Sequence, residues 1–280
     1  MLTEPFSPSV VTSPPRQGPR WRWDWSLSGG LCLAVLAAWY ALVQWYQLPT
    51  LVLPTPGAVA AKLLHHLADG FILSHLWITL SEILLGFVGG SVLGIGLGSL
   101  VAISPLLQRG LKPYIIASQA MPKLALAPLF VIWFGFGIGP KALIAALIAF
   151  FPLFENTLTG LQAVEPEAVE LFRMLGSNRW QLFLKLRLPH AVPYLFAGLR
   201  VAMVLSVVGA VVGEYVGASK GLGALIIASQ GMMDTTLMFA VFVVLTGLGI
   251  VLYQLVAWCE RLVLVRRARV KTVTLDDSYR

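Results

Sequence analysis

Residues 165–193 of the chain read EPEAVELFRMLGSNRWQLFLKLRLPHAVP and form a charged stretch within a mostly apolar sequence. Its charged side chains are Glu165, Glu167, Glu170, Arg173, Arg179, Lys185 and Arg187. The chain on both sides is mostly apolar. Charged groups are costly to take out of water. We therefore expect this stretch, the polar island, to present a surface to something in water.

The composition is that of an integral membrane protein. Of 280 residues, 58% are hydrophobic and 12% are charged, whereas soluble domains have about 45–50% and about 25%. This length suits one bundle of helices better than several domains. The two cysteines, Cys32 and Cys259, both lie in apolar runs. Neither a disulfide pattern nor a zinc-binding pattern is visible in the sequence.

Six stretches are long and apolar enough to cross a bilayer, which takes about 20 helical residues. They are residues 31–48, 76–103, 114–136, 142–161, 191–215 and 237–255. The third is interrupted by Pro122 and Pro128, which a membrane helix tolerates only where neighbouring groups satisfy the freed carbonyls. We therefore predict an all-α, polytopic membrane protein with six transmembrane helices.

The segments outside the spans divide the chain further. Residues 1–29 are rich in Pro and Ser and carry no cleavable signal, which predicts a disordered cytoplasmic lead. The membrane domain then covers residues 30–265, and a basic cytoplasmic tail covers residues 266–280. Between the first two spans, Thr55 or Pro56 starts a short helix with one apolar face, which we expect to lie on the membrane surface.

The distribution of Lys and Arg predicts the orientation in the membrane. If both termini are cytoplasmic, only Lys62, Lys141 and Lys220 fall in the outer loops, and the other basic residues outside the spans fall inside. Basic residues concentrate on the cytoplasmic side of membrane proteins. This pattern predicts a multi-pass protein of a bacterial inner membrane, and it explains the net charge of +7 without nucleic acid.

Local signals predict two short helices in the polar island. Pro166 suits the first turn of a helix, and Gly176 is typical of the left-handed residue that ends one. Ser177 or Asn178 then caps a second helix, which we expect to end at Leu188–Pro189. The island is therefore predicted to be a cytoplasmic pair of helices hinged at Gly176.

Polar residues inside the spans could mark a passage through the membrane. The ionisable ones are Glu82, Lys123, Glu155, Arg200 and Glu214. Such residues normally pair with one another or face a cavity, and the sequence leaves both possibilities open. We take Glu82, Lys123, Arg200 and Glu214 as candidates for a translocation pathway. The glycine-rich stretch 213–223 favours a flexible gate or a re-entrant segment, whereas Gly86, Gly90, Gly94 and Gly98 indicate close helix packing.

The sequence carries no sign of catalysis. No nucleophile, base and acid fall into a known motif, and the GxxxxGK[ST] phosphate loop is absent. His65 and His66 are adjacent on a helix and do not share a face, so we expect no metal site from them. The chain is therefore predicted not to be an enzyme.

Several blocks of the sequence resemble a known family of transport proteins. Glu170, Gly176 six residues later and Pro189 thirteen residues after the glycine look like the EAA loop of ABC importer permeases. The first triplet is Glu170-Leu171-Phe172 here, with larger residues in place of both alanines. Residues 53–56, 126–135, 175–183 and 193–200 are similar to nitrate/sulfonate/bicarbonate-type permeases, and the likeness runs from about residue 48 to 264.

This resemblance implies a type I ABC importer permease-like fold with a coupling loop over residues 162–190. In that family the loop seats in a groove of a separate ATP-binding subunit, whose closure swings the membrane helices. Carried over, the loop would use Glu167, Glu170, Arg173, Gly176, Arg179 and Pro189. The implied partners are that ATPase, an extracytoplasmic substrate-binding protein and a second permease copy. ATP and Mg would be bound by the ATPase, and no cofactor by this chain.

The resemblance also narrows the substrate to a small anion or small heterocycle, such as a sulfonate, nitrate, or a pyrimidine or flavin vitamin precursor. Residues 119–123 and 213–218 look closer to the vitamin-precursor branch than to the nitrate branch. The alternative is an ion-coupled secondary transporter, which Glu82 and Glu214 inside the membrane would suit. No inverted repeat, which is common in such carriers, is visible.

Overall fold

The structure is a computed structural model that describes residues 21–276, with side chains over residues 29–265 except those of residues 105, 112, 116, 119 and 120. Residues 1–20 of the predicted disordered lead lie outside the described residues, and residues 21–29 begin the first helix. Residues 266–276 of the predicted basic tail continue the last helix, without described side chains, and residues 277–280 lie outside the described residues. Over residues 21–276 all regular elements are helices. They are α1 (Trp21–Trp45), α2 (Pro56–Ala68), α3 (Phe71–Ile103), α4 (Pro105–Ala120), a 3-10 turn (Lys123–Leu126), α5 (Ala127–Phe134), α6 (Ile138–Gln162), α7 (Pro166–Met174), α8 (Arg179–Leu182), a π turn (Phe183–Arg187), α9 (Leu188–Tyr215), α10 (Leu222–Gly231) and α11 (Thr235–Asp276).

The chain forms two compact units, which divide between Pro49 and Thr50. The described part of the first is α1, whose apolar stretch Gly29–Trp45 matches the first predicted span but is shorter than a full crossing helix. Its apolar side chains are largely exposed; Leu31 is 68% and Leu33 70% accessible. The second unit contains α2 to α11.

In the second unit, four helices are long and apolar enough to cross a membrane. They are Phe71–Ile103, Ile138–Gln162, Arg179–Tyr215 and Thr235–Val265. They match the second, fourth, fifth and sixth predicted spans, and the predicted all-α membrane fold is confirmed.

The packing of α3 against α6 explains the glycines of α3. A Cβ added to Gly90 would lie 2.6 Å from the Ala146 carbonyl oxygen, and one at Gly94 would lie 2.8 Å from Leu153 Cβ. Such distances are closer than van der Waals contact, so only glycine lets the two backbones approach. The predicted close packing is thereby confirmed. Because the contacts advance in step along both helices, α3 and α6 run parallel.

Parallel α3 and α6 require the chain between them to return across the bundle. We call the end where α3 begins the upper end and the end where it finishes the lower end. The returning segment is not the single helix predicted over residues 114–136. It is interrupted after α4, because Met121 is extended (φ −68°, ψ 130°) before Pro122. A residue before proline disfavours the helical region, so the crossing consists of α4, the 3-10 turn and α5.

The region between α9 and α11 stays at the upper end. α9 runs antiparallel to α6, with Gly213 beside Lys141 and Gly198 beside Asn156. Its end and the start of α11 therefore lie on the same side, and the ten-residue α10 joins them without crossing. α10 is buried in an apolar cluster with α3 and α11 that includes Ile72 and Val241. The stretch predicted as a flexible gate or a re-entrant segment, residues 213–223, consists of the end of α9, a non-helical connection over residues 216–221 and the start of α10.

The short helix predicted to begin at Thr55 or Pro56 is α2, and its position on the membrane surface stays a prediction. Thr55 caps it, since its hydroxyl oxygen accepts from the Ala58 N–H at 3.3 Å, and Pro56 occupies the first turn. Leu63 and Leu67 pack on the apolar cluster of α10. One face of α2 therefore belongs to the upper end of the bundle.

Candidate functional site

The first helix of the coupling loop ends in a defined turn. Gly176 has φ +77°, a left-handed conformation that favours glycine. The Ser177 N–H donates to the Phe172 carbonyl at 3.1 Å and the Gly176 N–H to the Arg173 carbonyl at 3.0 Å. This pair of bonds is the Schellman motif. The predicted glycine hinge is therefore a fixed corner.

The second helix begins as predicted but does not end as predicted. Asn178 and Gln181 form a reciprocal capping box at the start of α8. The helix was expected to stop at Leu188–Pro189, and this is wrong. The Leu188 N–H donates instead to the Phe183 carbonyl, five residues back, in a π turn. That turn carries the helix into α9, so one helix runs from Arg179 to Tyr215.

The coupling loop exposes apolar side chains at the lower end of the bundle. Met174 is 83%, Leu175 73% and Trp180 68% accessible. Leu171 and Leu184 are also exposed, as are the charged side chains of Glu167, Glu170, Arg173 and Arg179. Pro189 is exposed as well. The loop therefore presents an apolar patch with charges around it.

At the upper end, the structure brings Glu82 together with a lysine that the sequence assigned to an outer loop. Lys141 lies inside α6, and its Nζ is 2.5 Å from Glu82 Oε1. Both side chains are buried. The other Glu82 oxygen, Oε2, is buried and has no hydrogen-bond partner in the described part of the chain. A buried acid requires a counter-charge, but this requirement alone does not tell from the sequence which lysine or arginine provides it.

Glu214 belongs to the same buried cluster. Its Oε1 accepts from the Thr79 hydroxyl at 2.6 Å and its Oε2 from the Gly223 N–H at 2.5 Å. The Leu222 N–H in turn donates to Thr79 Oγ1 at 2.8 Å. A Cβ on Gly221 would collide with the Glu214 carboxylate, and Gly221 has φ +127°. The glycine-rich stretch thus wraps a carboxylate of its own chain.

His75 completes the enclosure of the cluster. Its Nδ1 lies 2.9 Å from the Gly221 carbonyl oxygen and 3.1 Å from the Gly221 nitrogen. Neither His75 nor Thr79 was singled out from the sequence, because nothing local connects them to residues more than a hundred positions away. The cluster joins α3, α6 and α9 to the start of α10.

Lys123 lies apart from this cluster, at the break in the crossing between α4 and α5. Its Nζ is 4.1 Å from the centroid of the Phe151 ring, a cation–π contact. Both line an open cavity of about 360 Å³ whose other walls are Ile148, Pro152, Glu155 and Leu205. A cation, an acid and an aromatic ring therefore share one concave surface.

Arg200 forms an ion pair away from the Lys123 cavity and the buried cluster. Its Nε lies 3.3 Å from Glu260 Oε2 on α11. Of the four predicted pathway residues, the structure brings together Glu82 and Glu214 and separates them from Lys123 and Arg200.

His65 and His66, which were not expected to share a helix face, both lie close to Asp69 at the end of α2. Ligand atoms of His65, His66 and Asp69 all lie within 4.8 Å of one another. However, His66 Nδ1 already bonds Asp69 Oδ2 at 3.0 Å, and the Phe71 N–H bonds Asp69 Oδ1. This backbone bond lowers the pKa of Asp69, and the contact with His66 adds to it. These hydrogen bonds connect the end of α2 to the start of α3.

Comparison with known proteins gives the same picture of a transport protein. A family model described as "Binding-protein-dependent transport system inner membrane component" matches residues 90–265. The riboflavin transport system permease protein RibX of Chloroflexus aurantiacus is 37% identical, over 90% of this chain and 95% of that protein. The formylaminopyrimidine transport permease protein ThiX of Halalkalibacterium halodurans is 34% identical, over 85% and 94%.

A solved structure supports the fold. An inward-facing crystal form of the MetNI methionine ABC transporter contains a chain that superposes with a TM-score of 0.59. The match covers 67% of this chain and 93% of that one at 22% identity.

Proposed function

Because the chain belongs to the family of binding-protein-dependent transport system inner membrane components, we propose that it carries a small heterocyclic vitamin or vitamin precursor across the membrane. It is a transmembrane permease subunit of an ABC importer. It is not itself an enzyme, and ATP hydrolysis takes place in a separate subunit. We expect ATP and Mg to be held by that subunit and no cofactor by this chain.

The exposed apolar patch of the coupling loop is the single observation that carries the coupling proposal. Trp180, Leu175 and Met174 are mostly accessible in a segment that is otherwise charged. Exposed apolar side chains with a charged rim are typical of an interaction surface. We infer that they seat in a groove of the ATP-binding subunit, with Glu167, Glu170, Arg173 and Arg179 around them.

The continuous helix from Arg179 to Tyr215 gives this contact a mechanical consequence. Its 37 residues span about 55 Å at 1.5 Å per residue. Glu214, near its far end, is held by Thr79 and the Gly223 N–H. A displacement of the coupling loop would therefore reach the upper end through one helix. The π turn would transmit the movement, whereas a break at Pro189 would absorb it.

The cavity beside Lys123 is the better candidate for contact with the substrate. Glu82 and Glu214 are enclosed by Lys141, Thr79 and glycine backbone, an arrangement that supports a structural role. Lys123, Phe151 and Glu155 line open space instead. An aromatic ring can stack on a heterocycle, and a lysine and an acid can bond its polar edge. The names of the two relatives, which refer to a flavin and a pyrimidine, agree with this chemistry.

The assembly and orientation follow as further parts of the proposal. The cavity opens on the surface of one subunit, so a second copy of the chain would close the pathway. The coupling loop would face the cytoplasm, with both termini on that side. The upper end would then face outward and receive the substrate-binding protein.

Co-expression with the ATP-binding subunit tests the coupling proposal. We expect the two chains to co-purify and a Trp180→Asp/Leu175→Asp variant to lose the complex, whereas Lys185→Gln on the same loop keeps it. Uptake into proteoliposomes should require ATP and the ATPase. Uptake driven by a proton or sodium gradient without ATP would instead support the ion-coupled secondary transporter.

The substrate class is tested separately. A thermal-shift screen of the cognate binding protein should respond to flavins or pyrimidines rather than to sulfonates or nitrate. In the reconstituted importer, Lys123→Gln should slow uptake more than Lys220→Gln, which changes an exposed lysine. Stabilisation by a sulfonate alone would overturn the heterocycle proposal without affecting the coupling proposal.

A further inference from the structure

A second cavity lies between the coupling loop and the lower ends of α3, α4 and α6. Its volume is about 500 Å³. The polar side chains that line it are Gln108, Gln162, Arg173, Arg179 and Arg187. The rest of its wall is apolar and includes Ala102, Ile103 and Phe183. Three guanidinium groups thus line one cavity, and no acidic residue is among the residues that line it.

Arg187 is the best placed of the three. Its Nη1 donates to the Ala102 carbonyl oxygen at 3.3 Å, which fixes the side chain against the end of α3. Its Nε is buried and has no hydrogen-bond partner among the described residues. A buried donor of a charged group that lacks an acceptor is costly. The side chain is therefore held in place with one donor unused.

Neither of the other two arginines has an acidic partner among the ion pairs of the described residues. Like charges around one cavity repel each other unless an anion lies between them. Guanidinium groups bind carboxylates and phosphates through two parallel hydrogen bonds. The two glutamine amides add neutral donors to the same wall.

We propose that this cavity binds a phosphate group. The lining supplies three cations and amide donors, which suit a doubly charged oxyanion better than chloride. The volume exceeds what a bare oxyanion needs, so a phosphate ester also fits. The cavity lies where the apolar spans of α3 and α6 end, at the depth of lipid headgroups, and basic pockets at this depth bind anionic headgroups. The phosphate could thus come from an anionic phospholipid or from solution.

The bound phosphate would brace the coupling loop. Arg173 lies on α7, Arg179 on α8 and Arg187 in the π turn, whereas Gln108 and Gln162 lie on the bundle. One anion would therefore join both helices of the loop to α4 and α6. This site does not depend on the identity of the transported molecule.

Binding to the purified full-length chain tests the proposal. One arm titrates inorganic phosphate against the protein in an uncharged detergent by calorimetry, with chloride at matched ionic strength as the reference. The other arm measures phospholipid retained by the protein from nanodiscs of phosphatidylcholine with and without phosphatidylglycerol, by native mass spectrometry. Saturable phosphate binding identifies a soluble source, and retained phosphatidylglycerol a lipid source; either supports the site.

Variants separate this site from general attraction to a basic surface. Arg187→Gln should weaken binding about tenfold or more, as expected for the loss of charge-assisted hydrogen bonds. The double variant Arg173→Gln/Arg179→Gln should also weaken binding. Both of its substitutions are at exposed positions, where they are not expected to cause misfolding. Lys185→Gln removes the same charge from the same loop outside the cavity and should leave binding unchanged. The proposal fails if neither ligand binds, or if Lys185→Gln weakens binding as much as the arginine variants.

Discussion

The two ends of the helix bundle treat their charges in opposite ways. At the upper end, Glu82, Lys141 and Glu214 are buried, paired and enclosed by backbone. At the lower end, Arg173 and Arg179 are exposed beside apolar side chains such as Trp180 that are also exposed. The upper cluster satisfies most of its polar groups within one chain. The lower surface keeps its charges in water without an ion-pair partner among the described residues and exposes apolar groups beside them. Such a surface is typical of a site that binds another molecule.

The largest expected effect comes from breaking the upper cluster. Lys141→Met removes the only lysine in it and leaves two buried carboxylates without a cation. Removing one partner of a buried ion pair costs about 3–5 kcal/mol, which lowers the melting temperature by on the order of 10 °C for a chain of this size. Thermal unfolding of the detergent-purified protein measures the loss.

The control for this test is Lys220→Met, because Lys220 is exposed. Adding Glu82→Gln to Lys141→Met should restore part of the lost stability, since one of the stranded charges is then removed. If Lys141→Met unfolds at the same temperature as Lys220→Met, the buried ion pair of Lys141 and Glu82 does not stabilise the upper end.

The second test concerns the helix contact that joins the two ends. In Gly90→Ala, the new methyl group would lie 2.6 Å from the Ala146 carbonyl oxygen. We expect a loss of about 1–3 kcal/mol from overpacking. Gly96→Ala on the same helix meets nothing within 4 Å and should stabilise by about 0.5–1 kcal/mol through helix propensity. The opposite signs are measured as shifts of thermal unfolding; equal shifts would contradict the close packing of α3 on α6.

The third test weakens the lower end alone. Gly176→Ala forces a side chain into φ +77°, at a cost of about 1–2 kcal/mol. No neighbouring atom lies within 4 Å of the added Cβ, so the cost is conformational. We expect the turn to open while the bundle stays folded, so ATP-driven uptake falls at an unchanged melting temperature. Gly176→Asn should retain more uptake, because asparagine tolerates this conformation; similar losses in both variants would argue against a conformational cause.

The sequence predicts those features of the two ends that depend on residues close to one another in the chain. Hydropathy locates the four long helices, and Pro166, Gly176 and Asn178 locate the corners of the coupling loop. The sequence does not show that Lys141 meets Glu82, because 59 residues separate them. It also misplaces the end of the second coupling helix, because a π turn absorbs the irregularity that Pro189 introduces. Ion pairs between helices, and a helix that continues through a proline by means of a π turn, depend on the tertiary structure. Local sequence patterns do not reveal them.

The smallest expected effect comes from an ion pair on the rim of the upper end, where charges are only partly buried. Lys62 Nζ lies 2.8 Å from Asp234 Oδ2. Burial by itself raises the pKa of Asp234, but the hydrogen bonds from Lys62 and from the Leu237 N–H outweigh it, and the net effect lowers the pKa. The stability from this pair is therefore present above the ordinary pKa of aspartate, about 4, and is lost as the pH falls through the lowered value.

Solvent screens this pair, so we expect Asp234→Asn to cost less than about 1 kcal/mol at pH 7. Asparagine can still cap α11, because Asp234 Oδ1 accepts from the Leu237 N–H and asparagine is as good a cap as aspartate. The difference in melting temperature between Asp234→Asn and the unaltered protein should shrink steadily as the pH is lowered from about 4 through the lowered pKa of Asp234. Lys62→Met should show the same pH dependence. A difference that stays constant as the pH falls would mean that the side chain of Asp234 contributes through packing and not through its charge.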